Sequence, residues 1–455
     1  MRESTNQPAK RDSFASSFGT LVALAGSAVG LGNLWRFPYL VGENGGAAFI
    51  LIYLGFVILA GLPVMLAEFI IGRRSQSSAR EAFQKLAPGS HWGIVGVVGV
   101  LSSLCIISFY SVVGGWCTEY LFKAVCFDFT DGDPESLRTM FSSFSTSVWL
   151  PLITHTVFLV VTAGVVIAGV QKGIEKFSKV MMPLLFLIII GIAIRSMTLP
   201  GSGPGLRFLF APDWSKVTSQ TFLAALGQAF FSLSLGSCLV VTYASYVKKS
   251  SRIVALSVQT AASDALFAIL AGCAIMPAVF AFGISPGEGP DLVFVTLPHI
   301  FTQMPLGGVL AIFFFVALLL AALTSAIALL EVIVAFCMEQ FKLKRTVAVV
   351  LVFVLIWVLG CLCSLSMGPI SHWKVLGKTI FEFFEFASAE FLMLIGGLLV
   401  VIFVGWKLGK KVVFDELTNG GAHHLPVWML KTILFLIRFV APAALLAIAI
   451  FQIHE

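Results

Sequence analysis

The sequence predicts an all-α membrane protein of about eleven transmembrane helices. Three observations carry that reading. The 455-residue chain is 58% hydrophobic and only 11% charged, where a soluble protein carries about 25% charged residues. Apolar runs of roughly 20 residues recur from end to end, each long enough to cross a hydrocarbon core of roughly 30 Å. The first and sixth of these runs are broken at their centres by glycine and small polar residues. The alternating strands of an outer-membrane barrel, about ten residues each, are absent. The net charge of +6 reads as basic loops on one side of a membrane, not as a nucleic-acid surface.

Residues 1–13, MRESTNQPAKRDS, form a polar tail without the short apolar region and cleavage site of a signal peptide. The first apolar segment is therefore expected to start insertion. The eleven segments run over roughly 14–40, 45–72, 92–125, 147–170, 176–198, 219–247, 253–283, 303–340, 345–366, 378–406 and 429–453.

Segment 1 contains GSAVGLGNLWRFP, from Gly26 to Pro38. Glycine costs about 1 kcal/mol against alanine inside a helix, so Gly26, Gly30 and Gly32 together favour a break. Unpaired backbone in lipid costs several kcal/mol per group, so a break must face protein, water or a ligand. Freed carbonyls can hold a cation, and freed N–H groups at a half-helix N-terminus can hold an anion. A zwitterionic amino acid with a hard cation satisfies both sets. Close helix packing through a G-x-x-x-G face at Gly26 and Gly30 is the competing reading, although packing needs neither Asn33 nor Arg36.

Segment 2 ends in EFIIGRR and carries Glu68. Segment 3 carries Glu119 and leads into the acidic, turn-rich DFTDGDPESLR. Segment 6 reads GQAFFSLSLGSCLVVTYASY, apolar but interrupted like segment 1. Segments 1 and 6 each open a set of five. Five is odd, so the second set enters from the opposite side, and paired interruptions in inverted halves point to a transporter site. The division is a tail at 1–13, one five-helix repeat at 14–200, a second inverted repeat at 201–408, and a cytoplasmic loop with the eleventh helix at 409–455.

Segment 7 carries Asp264 within TAASDALFAIL. An aspartate at a helix centre costs about 2.5–3.5 kcal/mol on insertion scales and is a functional candidate by default. Glu68 and Glu385 in segment 10 are similar. Glu119 and Glu331 lie nearer segment ends, where snorkelling competes. Segment 8 contains AALTSAIALLE. Thr324 and Ser325 either bond back to their own helix or offer oxygen to a hard cation.

Nineteen of the 29 lysines and arginines fall in the N-terminal tail and the connections after the even segments, against seven in the opposite loops. This bias places the N-terminus in the cytoplasm, in a bacterial inner (plasma) membrane. The eight cysteines sit mostly in apolar segments without zinc spacing, so Cys361 and Cys363 read as small buried residues. His423 and His424 read as a solvated pair, and His91, His155, His299 and His372 as lying near segment ends.

GSAVGLGNLWRFPYLVGENGGAAF resembles the first-segment signature of the neurotransmitter:sodium symporter family. GQAFFSLSLGSCLVVTYASY resembles its sixth segment, AALTSAIA its eighth, and EFIIGRR the end of its second. The resemblance covers essentially the whole chain. Eleven segments are similar to bacterial members of the leucine-transporter type.

The resemblance implies two sodium ions. One would be held by the Gly26, Val29 and Ala321 carbonyls with the Thr324 and Ser325 hydroxyls. The other would be held by the Ala28 carbonyl, Asn33, Ser232 and the substrate carboxylate, serine replacing the family's usual threonine at 232. That carboxylate would lie against Gly30, Gly32 and the Tyr110 hydroxyl. The substrate amine would meet carbonyls near Ala28, Phe231 and Ser232, with Ser234 nearby. Ile106, Phe231, Ser234, Ser237 and Leu329 would line the side-chain pocket, with Phe231 as its lid. Family carriers of monoamines have aspartate where this chain has Gly30, so an amino acid is implied.

Asp264 would supply the acid that makes chloride unnecessary, with Tyr53, Gln228 and Ser232 beside it. Ser263 is the competing match, and proton countertransport is open. Arg36 and Glu385 would form an outer gate. Arg11 and Glu339 would form an inner gate, supported by Ser245 and Tyr246. Phe14 stands where the family usually has tryptophan, so a looser inner cap is expected. Glu68 would bond the broken middle of segment 6.

The expectation is a sodium-coupled symporter, not an enzyme, importing a hydrophobic or aromatic amino acid by alternating access. Ser237, in place of a bulky aromatic of some relatives, is expected to enlarge the pocket. A carrier of another small amine or amino-acid derivative, a channel and a non-transporting sensor are the alternatives. The expected partners are a small amino-acid substrate and the lipid bilayer, with no nucleic acid.

Overall fold

The computed structural model of the chain describes residues 12–129, 132–284 and 292–452. The first predicted segment is two helices, α1 (Ser17–Ala28) and α2 (Gly32–Glu43), bent by 53° at the glycine break. Ser16 caps α1, its side chain accepting from Gly19 N. α1 ends because Val29 takes extended dihedrals, φ −69° and ψ 108°. The chain resumes as a wide π turn over Gly32–Arg36.

α3 (Ala47–Ser75) spans next, followed by short α4 (Ala79–Leu86). α5 (Gly93–Cys126), 34 residues long, precedes α6 (Pro134–Thr146), which Asp133 caps. Then come α7 (Trp149–Ile167), α8 (Val170–Met197) and short α9 (Gly203–Phe210). The sixth predicted segment is also two pieces, α10 (Ser219–Ser232) and α11 (Leu239–Ala244). Between them Ser234, Gly236 and Cys238 all have positive φ. The chain continues through α12 (Ile253–Ala281), α13 (Leu292–Gln303), α14 (Gly307–Phe341) and α15 (Arg345–Leu365). A two-stranded hairpin, β1 (Lys374–Val375) and β2 (Lys378–Thr379), leads into α16 (Ile380–Thr418) and α17 (Val427–Phe451).

Among the described residues nine helices are long and apolar enough to cross a membrane, or ten with α1 and α2 as one bent span. The sixth segment is the one missing from the expected eleven. Its pieces, 14 and 6 residues long, are each too short to qualify. The helices α4, α6, α9 and α13 fall in predicted connections. Predicted segment 8 starts later, at Gly307, and α16 runs on past 406 to Thr418.

α14 lies along α5, α7 and α8, and α1 rests against α8, α12 and α14. The two broken segments meet inside this ring, α10 against the π turn of α2 and α11 against α1. Asn33, Glu68, Gln228, Asp264 and Glu331 are all fully buried there. So many buried polar groups are tolerated only where each finds a partner, and the partners map the site.

Candidate functional site

The first break frees the carbonyl of Val29. Asn33 N donates to Gly30 O at 3.1 Å, not to Val29 O. Val29 O is reached instead from α14, by Ser325 Oγ at 3.3 Å and Thr324 Oγ1 at 3.4 Å. Thr324 also bonds back to its own helix, at 3.2 Å to Leu320 O and 3.0 Å to Ala321 O. Gly26 lies beside Thr324, where an added β-carbon would be 3.5 Å from Thr324 Cβ. The structure thus gathers carbonyl and hydroxyl oxygens from α1 and α14, the donor type a hard cation takes.

A second cluster centres on the buried Asp264. Its carboxylate accepts from Asn33 Nδ2 at 2.8 Å, Ser232 Oγ at 2.8 and 3.0 Å, and Tyr53 OH at 3.3 Å. Ser263, the competing match, is half-buried and bonds back to Gln259 O at 2.7 Å. A shift of one residue turns a side chain by about 100° around a helix, so only Asp264 faces inward. Gln228 donates to Gly32 O at 3.2 Å. Asn33 keeps its oxygen on Gly30 N at 3.1 Å and presents its amide nitrogen, not its oxygen, to Ser232.

Between the breaks lies a cavity of about 40 Å³. Ala28, Gly30, Gly32, Ile106, Tyr110, Phe231, Ser232, Ser234, Ser325 and Leu329 line it, joined by Leu31, Leu239 and Met393. Tyr110 OH accepts from Leu31 N at 3.2 Å. A β-carbon at Gly30 would sit 2.5 Å from Ser325 Oγ and 3.1 Å from Tyr110 OH, so no side chain fits there as the site stands. Ser237 is a correction. It does not line this cavity and turns its hydroxyl back to Ser234 O at 2.8 Å. The pocket is not enlarged at that point, because the turn between α10 and α11 aims Ser237 elsewhere.

A second chamber, of about 840 Å³, lies on the other side of Phe231. Arg36 and Glu385 both face it, yet no ion pair joins them among the described residues. The Arg36 guanidinium stands 4.8 Å from the Phe231 ring centroid instead. The expected outer pair is apart in this structure.

The end of the molecule where α1 begins is densely tied. Phe14 is 1% exposed and packs edge-on against Tyr243 and Tyr246, while Phe14 N donates to Tyr246 O at 3.0 Å. The cap expected to be loose is filled. Glu339 accepts from Ser78 N at 3.0 Å and Ser78 Oγ at 3.1 Å. Arg11, its expected partner, lies outside the described residues. Tyr246 OH donates to Glu331 at 2.6 Å, and Arg345 pairs with the same carboxylate. Ser245 bonds Thr242 O. Glu68 accepts from Gly236 N at 2.7 Å, inside the break of the sixth segment.

The sequence profile of the sodium:neurotransmitter symporter family matches residues 11–132 and 142–455. The chain belongs to this family. The uncharacterized sodium-dependent transporter YhdH of Bacillus subtilis is 41% identical over 438 residues, covering 96% of each chain. An uncharacterized sodium-dependent transporter of Haemophilus influenzae is 35% identical, over 98% of this chain and 99% of its own. The crystal structure of MhsT in complex with L-phenylalanine superposes with a TM-score of 0.89 at 44% identity, covering 97% of this chain and 99% of that one.

This symporter-family chain is therefore a multi-pass membrane transporter and not an enzyme. Several residues of its site had no clear signal in the sequence. Glu331, for which snorkelling and function compete in the sequence, is fully buried on Arg345, which reads as an ordinary loop charge. Glu175 reads as part of a basic connection, yet it is 1% exposed and accepts from Ala15 N at 2.6 Å. Met393 sits in an apolar helix where composition marks nothing. His155 is fully buried.

Proposed function

We propose that this transporter is a sodium-coupled symporter that imports a hydrophobic or aromatic amino acid across the bacterial inner membrane. The observation that carries the reading is one cavity with an oxygen cluster directly behind its wall. Bare glycine backbone, the Tyr110 hydroxyl and Ser325 line the cavity, and Ser325 and Thr324 reach the buried Val29 carbonyl behind it. Backbone N–H groups and a hydroxyl suit a carboxylate, and converging oxygens suit sodium.

In this reading the substrate carboxylate settles against the bare backbone of Gly30 and Gly32 and the Tyr110 hydroxyl, with no side chain at position 30 to compete for the place. The Ala28, Phe231 and Ser232 carbonyl region takes the ammonium. Ile106, Leu329 and Phe231 enclose an apolar side chain. One sodium, a co-transported substrate, takes the Gly26, Val29, Ala321, Thr324 and Ser325 oxygens. A second takes Ala28, Asn33, Ser232 and the substrate carboxylate, once the Asn33 amide turns its oxygen inward. Asp264 supplies a fixed negative charge beside that ion, so chloride is not needed. Each ligand raises the affinity of the other by the same factor.

Alternating access follows from unequal closure at the two ends. Outside, Phe231 separates the pocket from the chamber, and Arg36 with Glu385 closes over it. Inside, the packing of Phe14, the pair of Glu331 with Arg345, and the hold of Ser78 on Glu339 must part, with Arg11 the proposed gate partner of Glu339. The sets 14–200 and 201–408 are the two halves that rock, with the N-terminus cytoplasmic. The solved relative bound to L-phenylalanine supports a hydrophobic substrate class.

The test is uptake of radiolabelled L-amino acids by proteoliposomes holding the purified protein, with an inward sodium gradient or with choline in place of sodium. The expected result is sodium-dependent accumulation of a hydrophobic group such as phenylalanine, tryptophan and leucine. Sodium-dependent binding with no accumulation would replace the symporter with a sensor. Current without substrate would replace it with a channel.

A further inference from the structure

Met393 opens the straight part of α16 directly after a π turn over Ala387–Leu392. Such wide turns re-aim the residues that follow and often mark functional sites. The backbone here is pressed onto the break of the sixth segment. A β-carbon at Gly236 would lie 2.0 Å from Met393 O, and one at Gly396 would lie 2.2 Å from Gly236 O. The Met393 backbone therefore has no room to retreat, and only its side chain can move.

Two residues line both the 40 Å³ pocket and the 840 Å³ chamber, and they are Phe231 and Met393. Together they are the partition. Phe231 is a flat ring with Arg36 stationed 4.8 Å from its centroid. Met393 is 2% exposed, unbranched, and rotatable about three bonds, which lets it fit irregular and changing gaps. A space of 40 Å³ holds a few waters at about 10–15 Å³ each, not an amino-acid side chain. Admitting one requires part of the wall to yield. The helix backbones behind Ile106 and Leu329 belong to long buried helices, so the compliant wall is the partition.

We propose that Met393 is a specificity-determining residue: its side chain sets the depth of the pocket and swings toward the chamber to admit large apolar substrates. This rests on the amino-acid reading above. An alanine at 393 would join pocket and chamber, and a phenylalanine would hold the pocket shallow.

The experiment is sodium-dependent equilibrium binding of radiolabelled L-leucine, L-phenylalanine and L-tryptophan to the purified full chain. Met393→Ala should raise the tryptophan-to-leucine affinity ratio about tenfold, and Met393→Phe should lower it about tenfold, the scale of one or two methylenes in an apolar pocket. Met393→Leu, similar in volume, should leave the ratio within about twofold. Variants in which all three affinities fall together at a constant ratio would assign Met393 a packing role and overturn the proposal. Should Met393→Ala fail to fold, Met393→Phe decides alone. Wild-type protein that binds none of the three would overturn the amino-acid reading and this inference with it. Wild-type binding with ratios indifferent to position 393 would overturn this inference only.

Discussion

Val29 O is the atom on which the ion assignment turns. Two hydroxyls reach it, but they are not equivalent. Thr324 divides its hydroxyl between Val29 O and its own helix, while Ser325 Oγ reaches Val29 O at 3.3 Å. Back-bonding, one of the alternatives the sequence leaves open, is thus present at Thr324 beside its reach to Val29 O, while Ser325 is the hydroxyl turned to Val29 O. Ser325→Ala should raise the sodium concentration for half-maximal uptake by about tenfold or more, since a bond to a charged group contributes about 1.5–3 kcal/mol. Ser263→Ala, which removes a hydroxyl that bonds back to its own helix, should leave the curve in place. A sodium titration of uptake reads both, and an unshifted Ser325→Ala curve would remove the site from α14. At this scale the sequence was readable where a residue type is costly in lipid, as at Asn33 and Asp264. It was not readable in the turn between α10 and α11, where no helical period says which way Ser237 points.

Hydropathy marks helices long enough to span, and α3, α5, α7, α8, α12, α14, α15, α16 and α17 follow it. It is blind to short amphipathic pieces such as α4, and to the π turns, which have no composition of their own. One such turn, Val170–Glu175, ends in the residue that ties two elements together. Glu175 accepts from Ala15 N at 2.6 Å, Ser16 N at 3.2 Å and Ser16 Oγ at 3.0 Å, so a carboxylate from α8 caps the N-terminus of α1. Gly19 is required beside it, because a β-carbon there would lie 1.9 Å from Glu175 Oε1. Glu175→Gln keeps the shape and removes the charge that favours a helix N-terminus by about 0.3–2 kcal/mol. Amide exchange in the first turn of α1 should rise by about twofold to thirtyfold on that energy, with the centre of α5 unchanged. Unaltered exchange in α1 would show that the carboxylate does not hold it.

For the whole molecule the readable part was the architecture, and the unreadable part was its state. Segment order and the two breaks follow from composition and glycine placement. That Arg36 and Glu385 stand apart while Phe14 is sealed under Tyr243 and Tyr246 depends on packing across the entire bundle. A transporter closed at one end can couple two ligands only if they meet, and in the proposed site they meet through the substrate carboxylate. The matching amine, which lacks that group, separates the two contributions. Raising sodium should tighten binding of the amino acid by about tenfold or more, within the range of about 1–3 kcal/mol typical of coupled sites. The decarboxylated amine of the same side chain should bind weakly and gain much less from sodium. Reciprocity requires the amino acid to tighten sodium by the same factor, so competition against radiolabelled amino acid at several sodium concentrations, paired with sodium binding at several amino-acid concentrations, measures one quantity twice. Equal sodium dependence for the amino acid and its amine would place the carboxylate away from the ion. The coupling would then have to run through the helix breaks themselves.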